Sequence, residues 1–161
     1  MNANGVGKRV PPIALGVVEN GEIRRRALEG LLAGKRAVVV GVPGAFTPVC
    51  TREHLPDFII SAERLRAGGI DLMLCVTPND PWTTAAWAQQ LDPGGTLVFL
   101  SDGNLDLAEA IGARFRDTEH FMGWRSRRYL MQTENAVIKR LTIETQPLAL
   151  TCTRAQDVML D

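Results

Sequence analysis

The stretch that decides the fold is RAVVVGVPGAFTPVC, residues 36–50. Its first seven residues, RAVVVGV (36–42), form a continuous apolar run, which is typical of a central strand covered on both faces. A loop bracketed by Pro43 and Pro48 follows, and it carries Cys50 into what the sequence predicts to be the first turn of a helix. The stretch therefore indicates an α/β protein with a thiol confined by a proline-bracketed loop.

The residue types around Cys50 leave two interpretations open. Thr47 occupies the N-cap position and Pro48 the first helical position, so Cys50 is the third helical residue, near the positive end of the helix dipole. That position favours a reactive thiolate. However, most free cysteines are small buried hydrophobes, and Thr-Pro before a helix is an ordinary capping signal. The local pattern alone does not choose between a reactive and a structural thiol.

The rest of the chain alternates strand and helix patterns. We expect these elements in order: a hairpin turning at Asn20-Gly21, a helix from about Pro48 to Ala67, a strand at 69–76, a helix at 80–91 capped by Asp80, a strand at 96–101, a short helix at 105–112, a second hairpin across Thr133–Asn135, and a final helix at 153–160. Parallel pairing in the strand–helix–strand core and antiparallel pairing in the hairpins make a mixed sheet. We therefore predict an α/β, thioredoxin-like fold: a mixed central sheet flanked by helices, with an N-terminal hairpin extension.

Composition narrows the class of protein. The 161 residues predict a single domain over 1–161, with 1–9 as a flexible lead-in. Lys+Arg and Asp+Glu are equal at 18 each, and no apolar run is long enough to span a bilayer, so we expect neither a nucleic-acid nor a membrane partner. The first residues lack the apolar core of a secretory signal. The three cysteines show no CxxC spacing, which disfavours a zinc ribbon. Their odd, sparse number favours a reducing compartment, and we expect a cytoplasmic protein.

A longer pattern gives these features a family context. Pro43, Thr47 and Cys50 are spaced as PxxxTxxC, and this spacing resembles the active-site motif of peroxiredoxins. The fuller text GVPGAFTPVCTREHLPDFI resembles the type-five (atypical two-cysteine) subfamily in particular. The resemblance covers roughly residues 8 to 155, and further matching segments follow in the family's order: VTPNDPWTTAAW (76–87), SDGN (101–104), GWRSRRYLM (123–131) and LTC (150–152).

The resemblance implies four catalytic roles. Cys50 matches the peroxidatic cysteine, whose thiolate attacks a peroxide oxygen and becomes a sulfenic acid. Thr47 matches the threonine whose hydroxyl bonds the thiolate and the incoming peroxide. Pro43 matches the proline that shields the sulfur from bulk water. Arg128 directly precedes the aromatic residue of GWRSRRY and so matches the active-site arginine, whose guanidinium favours thiolate and binds peroxide oxygens.

A sulfenic acid must condense with a thiol or risk further oxidation. The resemblance implies that Cys152 is an intramolecular resolving cysteine, although a stray thiol near the C-terminus is the alternative. Cys75 reads as buried packing in a strand and is the second candidate. His54 lies four residues after Cys50 on the same helix face, where it either supports the active site or is simply solvated. A metal site of Cys50, His54 and His120 has weak support, and we expect no metal and no cofactor.

The predicted function is a thiol-dependent peroxidase that reduces hydrogen peroxide and small organic hydroperoxides. The resemblance implies electrons from a thioredoxin, glutaredoxin or glutathione system, and a homodimer. One alternative is a thioredoxin-like thiol–disulfide oxidoreductase, which is disfavoured because Thr47 stands where a CxxC dithiol needs its first cysteine. The other is a non-catalytic, redox-sensing binding module, which the combined presence of Pro43, Thr47, Cys50 and Arg128 disfavours.

Overall fold

A computed structural model describes residues 5–160 of the chain. Its nine strands and four α-helices have the following bounds: β1 Ala14–Glu19, β2 Glu22–Ala27, α1 Leu28–Leu32, β3 Arg36–Gly41, α2 Leu55–Ala67, β4 Leu72–Thr77, α3 Pro81–Leu91, β5 Val98–Ser101, α4 Asp106–Ala110, β6 Arg114–Asp117, β7 Gly123–Ser126, β8 Tyr129–Glu134 and β9 Val137–Ile143. A π-helical turn, Cys50–His54, leads directly into α2, and a 3-10 turn, Ala155–Asp157, lies near the C-terminal end.

Seven strands form one mixed sheet in the order β2-β1-β5-β4-β3-β8-β9. The three central strands β5, β4 and β3 are parallel to one another, because helices cross over between them. The hairpins β1–β2 and β8–β9 add antiparallel strands at the two edges. This arrangement confirms the predicted α/β fold with a mixed central sheet and an N-terminal hairpin.

Side chains of β3 are buried on both faces of the sheet, as its unbroken apolar run predicts. Val38 and Val40 face one half of the core, and Val39 faces the other half. Helices α2 and α3 cover the first half, and α1 and α4 cover the second. Cys50 and Cys75 both belong to the half under α2 and α3, so the fold itself brings the predicted reactive thiol and a second thiol to the same side of the sheet.

The expected flexible lead-in at 1–9 lies partly outside the described residues. Within the described part, Gly7 N donates to Ile138 O at 2.8 Å and Ile138 N donates to Lys8 O at 2.9 Å. Arg9 also forms a β-bridge with Val137. Residues 5–9 therefore satisfy backbone groups at the open edge of β9. No helix between residues 5 and 160 is long and apolar enough to cross a membrane.

Four features differ from the predicted elements, and the first is the short helix α1, which the sequence analysis did not predict. The small sheet of β6 and β7 was not predicted, because each strand has only four residues and no clear alternation. The expected final helix over 153–160 is only the three-residue turn Ala155–Asp157. The expected helix from Pro48 to Ala67 is interrupted by the π-helical turn Cys50–His54. The last difference falls at the predicted active site, where such turns are common in proteins.

Candidate active site

The end of β3 fixes the start of the active-site loop. Gly41, the last residue of β3, pairs with Tyr129 of β8. A Cβ atom at Gly41 would lie 1.9 Å from Tyr129 Cε1, so only glycine lets the tyrosine ring pack across this strand. Because Arg128 directly precedes Tyr129, this packing also fixes the position of the Arg128 backbone at the start of β8.

Hydrogen bonds hold the loop between β3 and Cys50 in place. Ala45 N donates to Asn79 Oδ1 at 2.8 Å, which joins the loop to the segment after β4. Thr47 Oγ1 donates to Gly44 O at 2.6 Å, and Thr51 N donates to Thr47 O at 3.0 Å. Helical geometry begins at Pro48, as predicted. The Thr47 hydroxyl proton is therefore used within the loop, and no hydrogen bond between residues 5 and 160 joins this hydroxyl to the Cys50 sulfur.

The π-helical turn presents Cys50 and His54 together. Leu55 N donates to Cys50 O, which is the i→i+5 bond of such a turn. Both the Cys50 and the His54 side chains are fully buried. Trp87 Nε1 of α3 donates to Thr51 Oγ1 at 3.1 Å and anchors the turn from outside.

Arg128 joins these two side chains. Its Nη1 donates to Cys50 Sγ at 2.9 Å and to His54 Nδ1 at 3.3 Å. Its Nε makes a longer bond to Leu148 O at 3.4 Å. Arg128 is only 2% exposed, and among the described residues no carboxylate forms an ion pair with it. A buried guanidinium without a carboxylate partner is costly, and the Cys50 sulfur is the contact that can carry a compensating charge.

His54 is held as a neutral imidazole. Its Nε2 lies 2.7 Å from Thr153 O, and a carbonyl only accepts, so Nε2 carries the proton. Its Nδ1 is then free to accept from Arg128 Nη1. Burial lowers the pKa of His54 to about 4, because the charged form is poorly solvated there and the Arg128 charge repels it, which outweighs the bond to Thr153. His54 thus links the active-site arginine to the segment that follows Cys152.

A second buried group, the Glu144 carboxylate, binds that segment. The Glu144 carboxylate accepts from Thr151 N at 2.9 Å, Thr151 Oγ1 at 2.6 Å, Cys152 N at 2.9 Å and Thr153 Oγ1 at 2.7 Å. Glu144 is 0% exposed. Burial by itself would raise the pKa of Glu144, but these hydrogen bonds outweigh it and lower that pKa to about 2. The Glu144 carboxyl group is therefore ionised near neutral pH.

The other two cysteines have different surroundings. Cys75 lies inside β4, between Val40 of β3 and Phe99 of β5. Burial raises the pKa of the Cys75 thiol well above its usual value, and the nearby Cys50 adds to this. Cys152 is partly exposed, and burial together with the Glu144 charge raises its pKa as well. None of these three cysteines forms a disulfide bond in this structure.

A pocket of about 420 Å³ opens beside the Cys50–Arg128 contact. It is mostly apolar, and its lining consists of Pro43, Thr47, Pro48, Val49, His120, Met122, Arg128 and Leu148. His120, which was considered with Cys50 and His54 as a metal ligand, instead pairs with Asp117 at 3.0 Å. Within residues 5–160, no group of three or more His, Cys, Asp or Glu side chains is placed to hold a metal ion.

Four residues that the sequence argument did not single out support this site: Asn79, Trp87, Glu144 and Thr153. Asn79 and Trp87 fall in VTPNDPWTTAAW, which belongs to the family resemblance, so that text contained a signal for them. Glu144 closes the apolar pattern of β9, and a carboxylate at that position is not distinguishable from a solvated strand end by sequence pattern alone.

Comparison with known proteins agrees with this geometry. The family model described as Redoxin matches residues 6–157. The chain is 38% identical over 159 residues to peroxiredoxin-2E-2, chloroplastic, of Oryza sativa subsp. japonica, covering 96% of this chain and 70% of the relative. It is 34% identical to peroxiredoxin-2E, chloroplastic, of Arabidopsis thaliana, covering 96% and 67%. The crystal structure of reduced Prx3 from Vibrio vulnificus in complex with H₂O₂ superposes with a TM-score of 0.87 at 33% identity, covering 94% of both chains.

These relatives also correct one expectation. The cysteine count and the absence of a secretory signal predicted a cytoplasmic location, but the two plant relatives are named as chloroplastic proteins. The cytoplasmic prediction is wrong by this comparison, because a low cysteine content indicates a reducing environment and does not distinguish one reducing compartment from another.

The family model spans most of the chain, and the plant and bacterial peroxiredoxins share a third or more of its residues. The chain therefore belongs to the Redoxin family and is a peroxiredoxin, a thiol peroxidase with a thioredoxin-like fold.

Proposed function

We propose that Cys50 is the peroxidatic thiol of a type-five peroxiredoxin that reduces hydrogen peroxide and small organic hydroperoxides. The observation that carries this proposal is the 2.9 Å contact from Arg128 Nη1 to Cys50 Sγ inside the protein. A thiolate at Cys50 would supply the negative charge that the buried guanidinium otherwise lacks. The same pairing supplies the nucleophile, since the thiolate rather than the thiol attacks.

The proposed reaction begins when the Cys50 sulfur attacks one peroxide oxygen. A sulfur–oxygen bond forms and the oxygen–oxygen bond breaks, so Cys50 becomes a sulfenic acid and the other oxygen leaves as water or an alcohol after it takes a proton. Charge builds on the leaving oxygen during this step. Arg128 N–H groups near the sulfur are placed to stabilise that charge, and a preorganised donor of this kind contributes about 10²-fold or more in rate.

Thr47 and Pro43 have roles that follow from their contacts. Because the Thr47 hydroxyl proton is used by Gly44 O, we expect the Thr47 oxygen to accept a hydrogen bond from the peroxide rather than to donate one to the thiolate. Pro43 is buried in the pocket lining, where it limits the access of water to the sulfur. We assign His54 a positioning role, because its Nδ1 accepts from the arginine that contacts Cys50.

The pocket supports small organic hydroperoxides as well as hydrogen peroxide. Its volume of about 420 Å³ exceeds what two oxygen atoms need, and apolar side chains such as Val49, Met122 and Leu148 line it. We expect those side chains to contact the alkyl group of a substrate, while Thr47 and Arg128 bind its peroxide oxygens.

For the second half of the cycle we propose Cys152 as the resolving thiol, with thioredoxin, glutaredoxin or glutathione as the reductant. Cys152 is partly exposed, whereas Cys75 is locked between two neighbouring strands. The position of Cys152 in LTC is also what supports the type-five assignment.

We further propose that residues 1–161 act as one domain and that two copies pair. Phe46, Trp82 and Phe121 are 46%, 61% and 96% exposed. Phe46 belongs to the active-site loop, and Phe121 lies between two residues that line the pocket. Large exposed apolar side chains of this kind support a homodimer whose contacts lie near the active site, and sedimentation analysis of the purified chain tests it.

The experiment that tests the proposed function is the intact mass of the reduced protein after one equivalent of hydrogen peroxide, quenched rapidly and without reductant. A loss of about 2 Da that maps to Cys50 and Cys152 supports the whole proposal. A gain of about 16 Da held on Cys50 supports the peroxidatic role but assigns resolution to an external thiol. No change in mass contradicts the proposal, and Cys50→Ser is the matched control that should remain unmodified.

A further inference from the structure

The segment that carries Cys152 is fixed by an unusual anchor. We name Thr151–Thr153 the Cys152 segment. Four of its donors converge on one buried carboxylate, that of Glu144, and three of them share its Oε2 atom. Hydrogen bonds to an ionised carboxylate are about twice as strong as those between neutral groups. The Cys152 backbone N–H is one of these donors, so the thiol is carried by a backbone that a buried anion holds in place.

A second anchor joins the same segment to the active site. Thr153 O accepts from His54 Nε2, and His54 Nδ1 accepts from Arg128 Nη1, which also donates to Cys50 Sγ. An imidazole and a guanidinium thus separate the segment from the Cys50 sulfur along this chain of contacts. A disulfide requires the two Cβ atoms to come within about 4.5 Å of each other. The backbone that carries Cys152 is free to move towards Cys50 only when the segment leaves these anchors.

We propose that Glu144 is a positioning residue for the resolving step: its carboxylate holds the Cys152 segment in the reduced enzyme and thereby sets the rate at which Cys152 reaches the oxidised Cys50. This inference rests on the proposed resolving role of Cys152. Within residues 5–160, the hydrogen-bond partners of the Glu144 carboxylate all belong to the Cys152 segment.

The step that Glu144 controls is balanced as follows. The Cys152 sulfur attacks the sulfur of the Cys50 sulfenic acid, a sulfur–sulfur bond forms and the sulfur–oxygen bond breaks. The oxygen leaves as water with the proton of Cys152, so no further oxidant is required. While the segment stays anchored, the sulfenic acid persists and a second peroxide can convert it to sulfinic acid. Tighter anchoring by Glu144 therefore means slower resolution and greater sensitivity to excess peroxide.

Glu144→Gln is the variant that tests this inference, because it keeps the size of the side chain and removes its charge. Thr153→Val is a milder second variant, because it removes one hydroxyl donor and keeps the buried shape. Glu134→Gln, at the exposed end of β8, is the matched control. Thermal melting of each reduced variant shows whether it is folded.

Two rates are measured for each variant. The first is the rate of intramolecular disulfide formation after one equivalent of hydrogen peroxide, measured by rapid quenching and mass spectrometry. The same samples give the rate at which the Cys50 thiol is consumed. The second is the rate at which iodoacetamide alkylates Cys152 in the reduced protein, which requires no peroxide. We expect Glu144→Gln to raise both disulfide formation and alkylation by about tenfold, and Thr153→Val by about threefold, because charge-assisted bonds are lost. Disulfide formation is compared with consumption of the Cys50 thiol within each variant. The control Glu134→Gln should keep the wild-type values of all three rates.

Three results bear on the inference in different ways. Unchanged or slower disulfide formation in folded Glu144→Gln and Thr153→Val would overturn it. If the wild-type protein forms no disulfide at all, the resolving role of Cys152 fails. The alkylation rate of Thr153→Val then still decides whether the segment is anchored, because this variant keeps the Glu144 charge that raises the pKa of Cys152. Faster alkylation in Thr153→Val supports the anchor, and an unchanged rate overturns it.

Discussion

Two buried cysteines in the same half of the core, Cys50 and Cys75, have opposite surroundings. Both side chains are 0% exposed and both pack under α2 and α3. Cys75 lies inside β4 with a hydrogen-bonded strand on each side. Cys50 lies in a π-helical turn, and a guanidinium from 78 residues away in the sequence contacts its sulfur.

The difference shows that burial by itself does not make a thiol reactive. At Cys75, burial raises the pKa and so favours the neutral thiol, which is the inert form. At Cys50 the same depth comes with a buried positive charge and with His54, whose ring accepts from that charge. A buried cysteine is therefore a candidate nucleophile when a cation shares its site, and a packing residue when only apolar groups surround it.

Exchange of the sulfur at each site gives the largest expected contrast. Cys50→Ser should lower the rate of peroxide consumption by about 10³-fold or more, because the nucleophile is removed. Cys75→Ser should leave that rate within about twofold, since no reacting group is lost. Initial rates with hydrogen peroxide and a thioredoxin-based reducing system measure both. Peroxide turnover at the wild-type rate by Cys50→Ser would show that Cys50 is not the nucleophile.

Replacement of the Arg128 guanidinium gives the next largest effect. Arg128→Lys keeps a positive charge but loses the guanidinium geometry, and we expect a decrease of about 10²-fold in the rate constant for Cys50 oxidation. Arg127→Lys is the matched control, because Arg127 donates to Thr145 O at 2.8 Å and, within residues 5–160, forms no hydrogen bond with Cys50 or Cys75. Stopped-flow oxidation of the reduced proteins measures the effect. Equal rates for the two variants would mean that the Arg128 contact does not activate the thiol.

The neutral His54 predicts how stability depends on pH. Its pKa is lowered from 6.5 to about 4 in the folded protein, so as pH falls below 6.5 the unfolded chain binds a proton that the folded chain does not. The free energy of unfolding should therefore decrease with falling pH, by about 2 kcal/mol between pH 7 and pH 5. Urea unfolding of the reduced protein measures it. His54→Asn should lack this part of the slope, and an unchanged slope would contradict the assignment of a neutral, buried imidazole.

The smallest effect concerns packing around Cys75. Cys75→Ala should reduce the free energy of unfolding by about 1 kcal/mol, because a small buried group is lost from between two strands. The intramolecular disulfide should still form after oxidation, since Cys152 remains. Urea unfolding and peptide mapping are the measurements. Loss of the disulfide in Cys75→Ala would reverse the roles of Cys75 and Cys152.

The sequence predicted the central elements well where the signal is local. The apolar run of β3, the Asn20-Gly21 turn and the Asp80 cap of α3 all form as expected, because a few neighbouring residues decide each of them. The π-helical turn was not predicted, since its i→i+5 bond has no distinct residue pattern. The final helix was wrong because the residues after Cys152 satisfy their hydrogen bonds through Asp57 and Glu144 instead of through one another.

The sequence by itself determined that a thiol follows a buried strand at the start of a helix, because strand, loop and cap are set by adjacent side chains. Only the tertiary structure decided what meets that thiol. Arg128 and Cys50 are 78 residues apart, and His54 and Thr153 are 99 residues apart. Contacts of this kind depend on strand order and on which face of the sheet each side chain occupies, and no local pattern encodes them. The position of the Glu144 carboxylate beside Cys152 also depends on tertiary packing, because the chain after β9 folds back so that Cys152 N bonds Glu144.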